Sequence, residues 1–303
     1  MSPTTVRPLA GIFAPVTTPF ERRTGEVDQA AFKSNVAAHL EAGLAGVVVS
    51  GSNGEAPLLD EGERLALVEC ARAIVPSDRW LLAGTGAEST RAAVRLARGA
   101  AERGADAVLV VAPHYFGAAA MTAEALIAHY RQIADESPVP VVLYNIPKFM
   151  HFSLAPQLVS DLATHGNVRG IKDSSGDIAL ASTYMSVRTP NFAVLLGSAQ
   201  LLSQGVAMGA DGGILAVSMF APRLTLDLFD AARRRDPAVN ALQERLSPLG
   251  RDIVGAMGVP GVKAALDLIG LRGGEPRLPL LPLGHEATMH VRTLLHEAGI
   301  LSA

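Results

Sequence analysis

Eight short runs of aliphatic residues punctuate the chain, at 11–15, 46–49, 80–84, 107–111, 139–143, 168–171, 192–196 and 213–217. Each is apolar almost throughout rather than alternating with polar residues, the mark of a strand covered on both faces and therefore of a parallel sheet. After a first loop at 16–25, the apolar positions between runs follow a helical period, over 28–42, 60–75, 89–103, 122–136, 153–163, 178–187 and 201–208. Asp28 suits the N-cap of the first of these. Strand followed by helix, repeated along the chain, specifies parallel β/α units. Eight even units predict a closed (β/α)8 TIM barrel rather than an open doubly wound sheet. The nearest dinucleotide-binding turn, Gly84-Thr85-Gly86-Ala87-Glu88-Ser89, lacks its third glycine. Helical patterns at 222–233, 238–250 and 259–269 exceed what closing the barrel requires, so residues 1–221 are expected to form the barrel. Residues 222–303 then supply its last helix and a C-terminal helical extension, with no linker between the two.

Composition narrows the partners. A 303-residue chain that is 49% apolar buries a large core, and its 5% of aromatics suits Ala-rich helices on aliphatic strands. A net charge of −3 gives no reason to expect nucleic acid. No apolar run approaches the roughly 20 residues of a membrane span. Without a secretion signal at the start, and with Cys70 alone in an apolar helical pattern as a buried thiol, a cytoplasmic protein is expected.

In a barrel of this kind, chemistry collects at the C-terminal ends of the strands. The chain has four lysines against twenty-two arginines, and only Lys172 follows a strand pattern and precedes a Ser/Gly/Asp turn, 173–177. A lysine partly desolvated there favours the neutral amine, a nucleophile toward carbonyl carbon, although a solvated lysine opening a loop fits the same pattern. After the second strand, 50–55 is a turn of small residues whose glycines permit positive φ and whose N–H groups can form a carboxylate-sized nest; an ordinary β-to-α loop fits equally. Tyr115 and Tyr144, two of only four tyrosines, follow strands four and five, where a phenol could move protons or simply pack at the rim. The eight histidines show no metal-ligand spacing, so no metal is expected, and a lysine imine serving as its own electron sink would need no organic cofactor. His114 and His151 could touch substrate without entering the chemical step.

Three ordered motifs, Gly51-Ser52-Asn53-Gly54-Glu55, Tyr144-Asn145-Ile146-Pro147 and Gly170-Ile171-Lys172-Asp173, resemble those of the dihydrodipicolinate synthase / N-acetylneuraminate lyase superfamily of Schiff-base aldolases. The resemblance runs from about 11 to about 284. Within the superfamily the chain looks most like the 4-hydroxy-2-oxoglutarate aldolase branch, which shares Gly-Ser-Asn-Gly-Glu and stretches similar to 82–84, 88–90, 104–107 and 172–174. The resemblance implies a barrel with a helical extension, assembled as a homodimer or homotetramer. Lys172 would form an imine with the ketone of a 2-oxo acid, typically pyruvate, and Tyr144 would be the general acid/base. Ser52 would link Tyr144 to Tyr115 donated by a neighbouring subunit. Asn53 and the amides of its turn, Gly54 included, would hold the substrate carboxylate, with Ser174, Gly197 and Leu215 on the pocket wall.

One departure concerns the second substrate. Where the synthases carry an arginine for the aldehyde's carboxylate, this chain has Phe149, and 148–151 also fails to match the aldolase branch. The expected activity is cleavage of a 2-oxo acid at C3–C4 to pyruvate and an aldehyde, as in 4-hydroxy-2-oxoglutarate aldolase. Dihydrodipicolinate synthase, or a sugar-acid lyase or dehydratase on the same imine chemistry, is the alternative, and a non-catalytic 2-oxo acid sensor the remote one.

Overall fold

The computed structural model describes residues 7–302; the polar start of the chain and Ala303 lie outside the described residues. Eight parallel strands, β1 Gly11–Pro15, β2 Gly46–Val49, β3 Trp80–Gly84, β4 Ala107–Val111, β5 Val141–Asn145, β6 Val168–Asp173, β7 Ala193–Leu196 and β8 Gly212–Ile214, close into a barrel in chain order. Around it run α1 Gln29–Glu41, α2 Glu61–Arg72, α3 Thr90–Glu102, α4 Ala123–Glu136, the single turn α5 Pro147–Met150, α6 Pro156–Ala163, α7 Ile178–Met185, α8 Leu202–Ala207 and α9 Pro222–Arg234. The extension adds α10 Val239–Pro248, a π-helical segment Leu249–Met257, α11 Gly258–Leu268 and α12 His285–Glu297.

The strands are buried almost throughout, as their unbroken apolar runs require. Short polar side chains start the helices by accepting orphan N–H groups: Asp28 from Ala31, Ser89 from Ala92, Thr122 from Ala125 and Asp177 from Ala179 and Leu180. Asp60 and Glu63 complete a reciprocal capping box on α2. The barrel closes between β8 and β1, where a Cβ on Gly212 would collide with the carbonyl oxygen of Gly11, so the seam needs glycine. Cys70 is half-buried rather than buried; its thiol donates to Gln29 Oε1 at 3.3 Å. Among the described residues no helix is long and apolar enough to cross a membrane.

Three strands differ from the sequence reading in ways that matter at the site. β5 starts at Val141, not 139, because Pro140 has no N–H to give a ladder and the Val139 carbonyl is taken by Ser137 and Asn167 side chains. Tyr144 therefore stands inside the strand, not after it. β6 continues to Asp173, which puts Lys172 inside as well, in direct register with Tyr144. β8 is shorter than expected: after Ile214 the chain curls into a 3-10 turn, Ala216–Met219, held by the Ser218 hydroxyl donating to Leu215 O at 2.7 Å. Leu215 follows the strand instead of lying on it. Helix α12 has no counterpart in the sequence reading, since its cap, Gly284, offers no side-chain signal and its buried face is confined to Val291, Leu294 and Leu295.

Candidate active site

A single cavity at the C-terminal end of the barrel gathers Ser52, Asn53, Tyr144, Lys172, Ser174 and Gly197 on its inner wall. Strand periodicity places them. Tyr144 and Lys172 are register partners on adjacent strands and point the same way, into the barrel. Lys172 is 4% exposed, and its Nζ lies 4.0 Å from the centre of the Tyr144 ring. Burial alone would push the Tyr144 phenol up, but the Lys172 charge together with hydrogen bonding from Lys172, Ser52 and Ser174 outweighs it and holds the phenol below its usual range. A phenol so poised exchanges a proton with the neighbouring amine at modest cost.

The turn after β2 reaches its curvature differently from expectation. Ser50 at φ 51 and Glu55 at φ 58 take the left-handed conformation, not the glycines between them. Gly54 is needed for close approach, a Cβ there standing 3.1 Å from Val16 O, and its carbonyl accepts from the Thr18 hydroxyl at 2.7 Å. The turn presents Ser52 and Asn53 to the cavity and turns Glu55 away from it. Glu55 is wholly buried against the extension: Lys263 Nζ stands 2.5 Å from Oε1, and the Arg277 N–H donates to Oε2 at 2.8 Å. Burial holds Lys263 below its ordinary pKa against the pull of Glu55. Arg277 in turn grips Glu63 through two nitrogens, at 2.8 and 2.7 Å.

Not every residue singled out from sequence reaches the cavity. Leu215 is fully buried while its neighbours Ile214 and Ala216 line the wall, and Gly54 lies behind the turn it shapes. Tyr115 is 80% exposed and outside the cavity, stacked edge-on against exposed Phe116 with ring centres 5.2 Å apart. Its backbone and that of His114 both donate to Glu88 Oε2 at 3.0 Å. Neither His114 nor His151 lines the cavity.

Apart from Phe149, the outer wall was not read from the sequence. Phe149, exposed at the rim, lines the cavity together with Val254 and Val259 of the extension and with Gly250, Gly255 and Gly258. Lys148 spans the gap, donating to the Gly255 carbonyl at 2.8 Å. Gly-rich 250–261 was the one hint that the extension folds back on a cavity.

The dihydrodipicolinate synthetase family model matches residues 8–298. The chain is 36% identical over 297 residues to the 4-hydroxy-tetrahydrodipicolinate synthase of Stenotrophomonas maltophilia, covering 97% of both chains. It is 34% identical over 289 residues to that of Methanothrix thermoacetophila, covering 94% of this chain and 95% of the relative. Dihydrodipicolinate synthase from Acinetobacter baumannii, solved with pyruvate, superposes with a TM-score of 0.90 at 30% identity, covering 96% of this chain and 99% of its own. A prophage protein of the dihydrodipicolinic acid synthase family from E. coli K12, also solved with pyruvate, gives 0.90 at 29% identity, covering 97% and 99%. These matches correct the resemblance drawn to 4-hydroxy-2-oxoglutarate aldolase, because the likeness is to dihydrodipicolinate synthases; the shared Gly-Ser-Asn-Gly-Glu turn was too short a stretch to choose the branch. The chain belongs to the dihydrodipicolinate synthetase family and is a carbon–carbon lyase of the Schiff-base class.

Proposed function

We propose that this chain condenses pyruvate with an aldehyde through an imine on Lys172, as a 4-hydroxy-tetrahydrodipicolinate synthase does with aspartate semialdehyde. The observation that carries the reading is the buried Lys172 in register with Tyr144, 4.0 Å from its ring, in the barrel's C-terminal cavity. The Tyr144 phenolate takes a proton from the Lys172 ammonium, and the freed amine attacks the C2 carbonyl of pyruvate. Tyr144 passes its proton to the carbinolamine hydroxyl, which leaves as water to give an iminium; the Tyr144 phenolate then takes a proton from C3, and the resulting enamine attacks the aldehyde carbon, forming the C–C bond and restoring the iminium. Tyr144 supplies the proton to the new alkoxide, and water or an internal amine releases the product from Lys172. Ser52, Asn53 and the N–H groups of their turn hold the pyruvate carboxylate. Tyr115, exposed on its own subunit, completes the proton path in a neighbouring copy, which makes the working unit a homodimer or homotetramer in the cytoplasm.

The relatives named above, both 4-hydroxy-tetrahydrodipicolinate synthases, support the synthase reading. One observation favours a second reading, an acceptor without a carboxylate: the outer wall is Phe149, Val254 and Val259, and among the described residues its one cation, Lys148, donates to the Gly255 carbonyl. A coupled assay of pyruvate with aspartate semialdehyde, set beside neutral aldehydes, decides. Product from aspartate semialdehyde with the highest kcat/KM supports the synthase; preference for a neutral aldehyde supports the second reading; consumption of pyruvate with none of them rejects both.

A further inference from the structure

One residue beyond Tyr144 and Lys172 stand Asn145 and Asp173, themselves register partners on β5 and β6. Period two sends them to the opposite face, behind the cavity, where they are 0% and 2% exposed. Asn145 Nδ2 donates to Asp173 Oδ1 at 2.7 Å, and Asn145 Oδ1 accepts from the Leu154 N–H at 2.9 Å. Asp173 also receives the Ser175 N–H at 3.1 Å and the Ser175 hydroxyl at 2.8 Å. The backbones are tied in the same place: the Ser174 N–H donates to Asn145 O at 2.8 Å, and the Gly197 N–H to Asp173 O at 2.6 Å. Burial, opposed by those hydrogen bonds, raises the Asp173 pKa, and no cation pairs with it among the described residues. A buried carboxylate without a cation is expensive, and an apolar filler would avoid that cost. What the carboxylate provides is direction: it fixes the relative height of β5 and β6 at the point where Tyr144, Lys172, Ser174 and Gly197 converge.

We propose that Asn145 and Asp173 are positioning residues that lock Tyr144 and Lys172 in register from behind the site, so that proton transfer between them proceeds without rearrangement. This rests on the reading of Lys172 and Tyr144 as the reacting groups. A misplacement of about 1 Å at such a pair costs on the order of a hundredfold in rate. Replacing Asn145 by Asp removes the amide donor and leaves two buried carboxyls that stay in contact only by sharing a proton, which changes the spacing and charge at the strand ends; adding Asp173→Asn restores one donor and one acceptor in reversed order.

The experiment measures kcat per active site, with sites counted by borohydride trapping of pyruvate, in Asn145→Asp and in Asn145→Asp/Asp173→Asn. Expected are a loss of about tenfold or more in kcat for the single variant, with KM for pyruvate changed far less, and recovery of most of that loss in the double variant. A purely structural bracket would lower the melting temperature and the number of trapped sites but leave kcat per site unchanged, and that result would overturn the proposal. So would a folded double variant as slow as the single one. If Asn145→Asp does not fold, Ser175→Ala removes one of the three donors to Asp173; a severalfold fall in kcat per site supports the bracket and an unchanged value overturns it. Wild-type enzyme that traps no pyruvate at all would defeat the imine reading beneath the proposal, a signature none of the other outcomes shares.

Discussion

Lys263 of α11 reaches back to Glu55 of the β2 turn, Nζ 2.5 Å from Oε1, with both side chains out of solvent. The pair joins the C-terminal extension to the turn that presents Ser52 and Asn53, so the extension shapes the site as well as walling it. Removing one partner leaves a buried charge uncompensated, which costs about 3–5 kcal/mol. Lys263→Met is therefore expected to lower the urea midpoint strongly and to raise KM for pyruvate. Glu55→Gln/Lys263→Met, with no charge left, should recover a good part of the stability. A single variant as stable as wild type would show that the pair does not hold the extension.

Acid should destabilise the fold through two histidines. Burial pulls His39 and His129 down to about 4 each, against the pull of Glu88 at His129. Both stay neutral in the fold while the unfolded chain takes up their protons below about 6.5. Their contribution is complete above that pH and is lost progressively as pH falls to about 4. At about 1.4 kcal/mol per pKa unit, each contributes a few kcal/mol. Urea midpoints measured across this window should fall with pH, and His39→Leu should flatten the slope; an unchanged slope would show that His39 is not one of the titrating groups.

Phe149 stands at the rim of the cavity where an aldehyde would enter, and an aromatic ring cannot make the paired hydrogen bonds that a guanidinium makes to a carboxylate. Phe149→Arg should raise kcat/KM for aspartate semialdehyde by about tenfold or more, the value of one charge-assisted hydrogen bond. Pyruvate trapping should be unaffected. A drop with aspartate semialdehyde would mean that Lys148 leaves Gly255 and binds its carboxylate in the native enzyme.

Tyr115, exposed and outside its own cavity, should act in a neighbouring subunit. Lys172→Ala and Tyr115→Phe proteins are each expected to be impaired. Allowed to exchange subunits from an equal mixture, they should regain roughly a quarter of wild-type activity under two-fold symmetry. Demonstrated exchange without recovery would place Tyr115 outside the shared site.

Much of the fold was legible because each strand run is continuous and each helix period distinct; the first four strands fall at their sequence-read residues, and Asp28 caps α1 as read. Lys172 could be singled out because lysine is scarce and its strand signal clear. What escaped was set by tertiary contact. Pro140 and the Asn167 side chain shift β5 by two residues, and Ser218 ends β8 early. The rest of the outer wall comes from residues more than a hundred positions from Phe149, and only the glycines of 250–261 hint that 249–259 returns to the cavity. The left-handed turn positions fell on Ser50 and Glu55 because buried partners of Glu55, not the freedom of glycine, fix that backbone.

Imine formation at Lys172 is tested most directly by incubating the protein with pyruvate, reducing with borohydride and mapping the adduct by peptide mass spectrometry. One reduced pyruvyl group on the peptide that contains Lys172, absent from Lys172→Ala, is the expected result. An adduct on Lys148 or on buried Lys263, or none on wild-type protein shown to be folded, would contradict it.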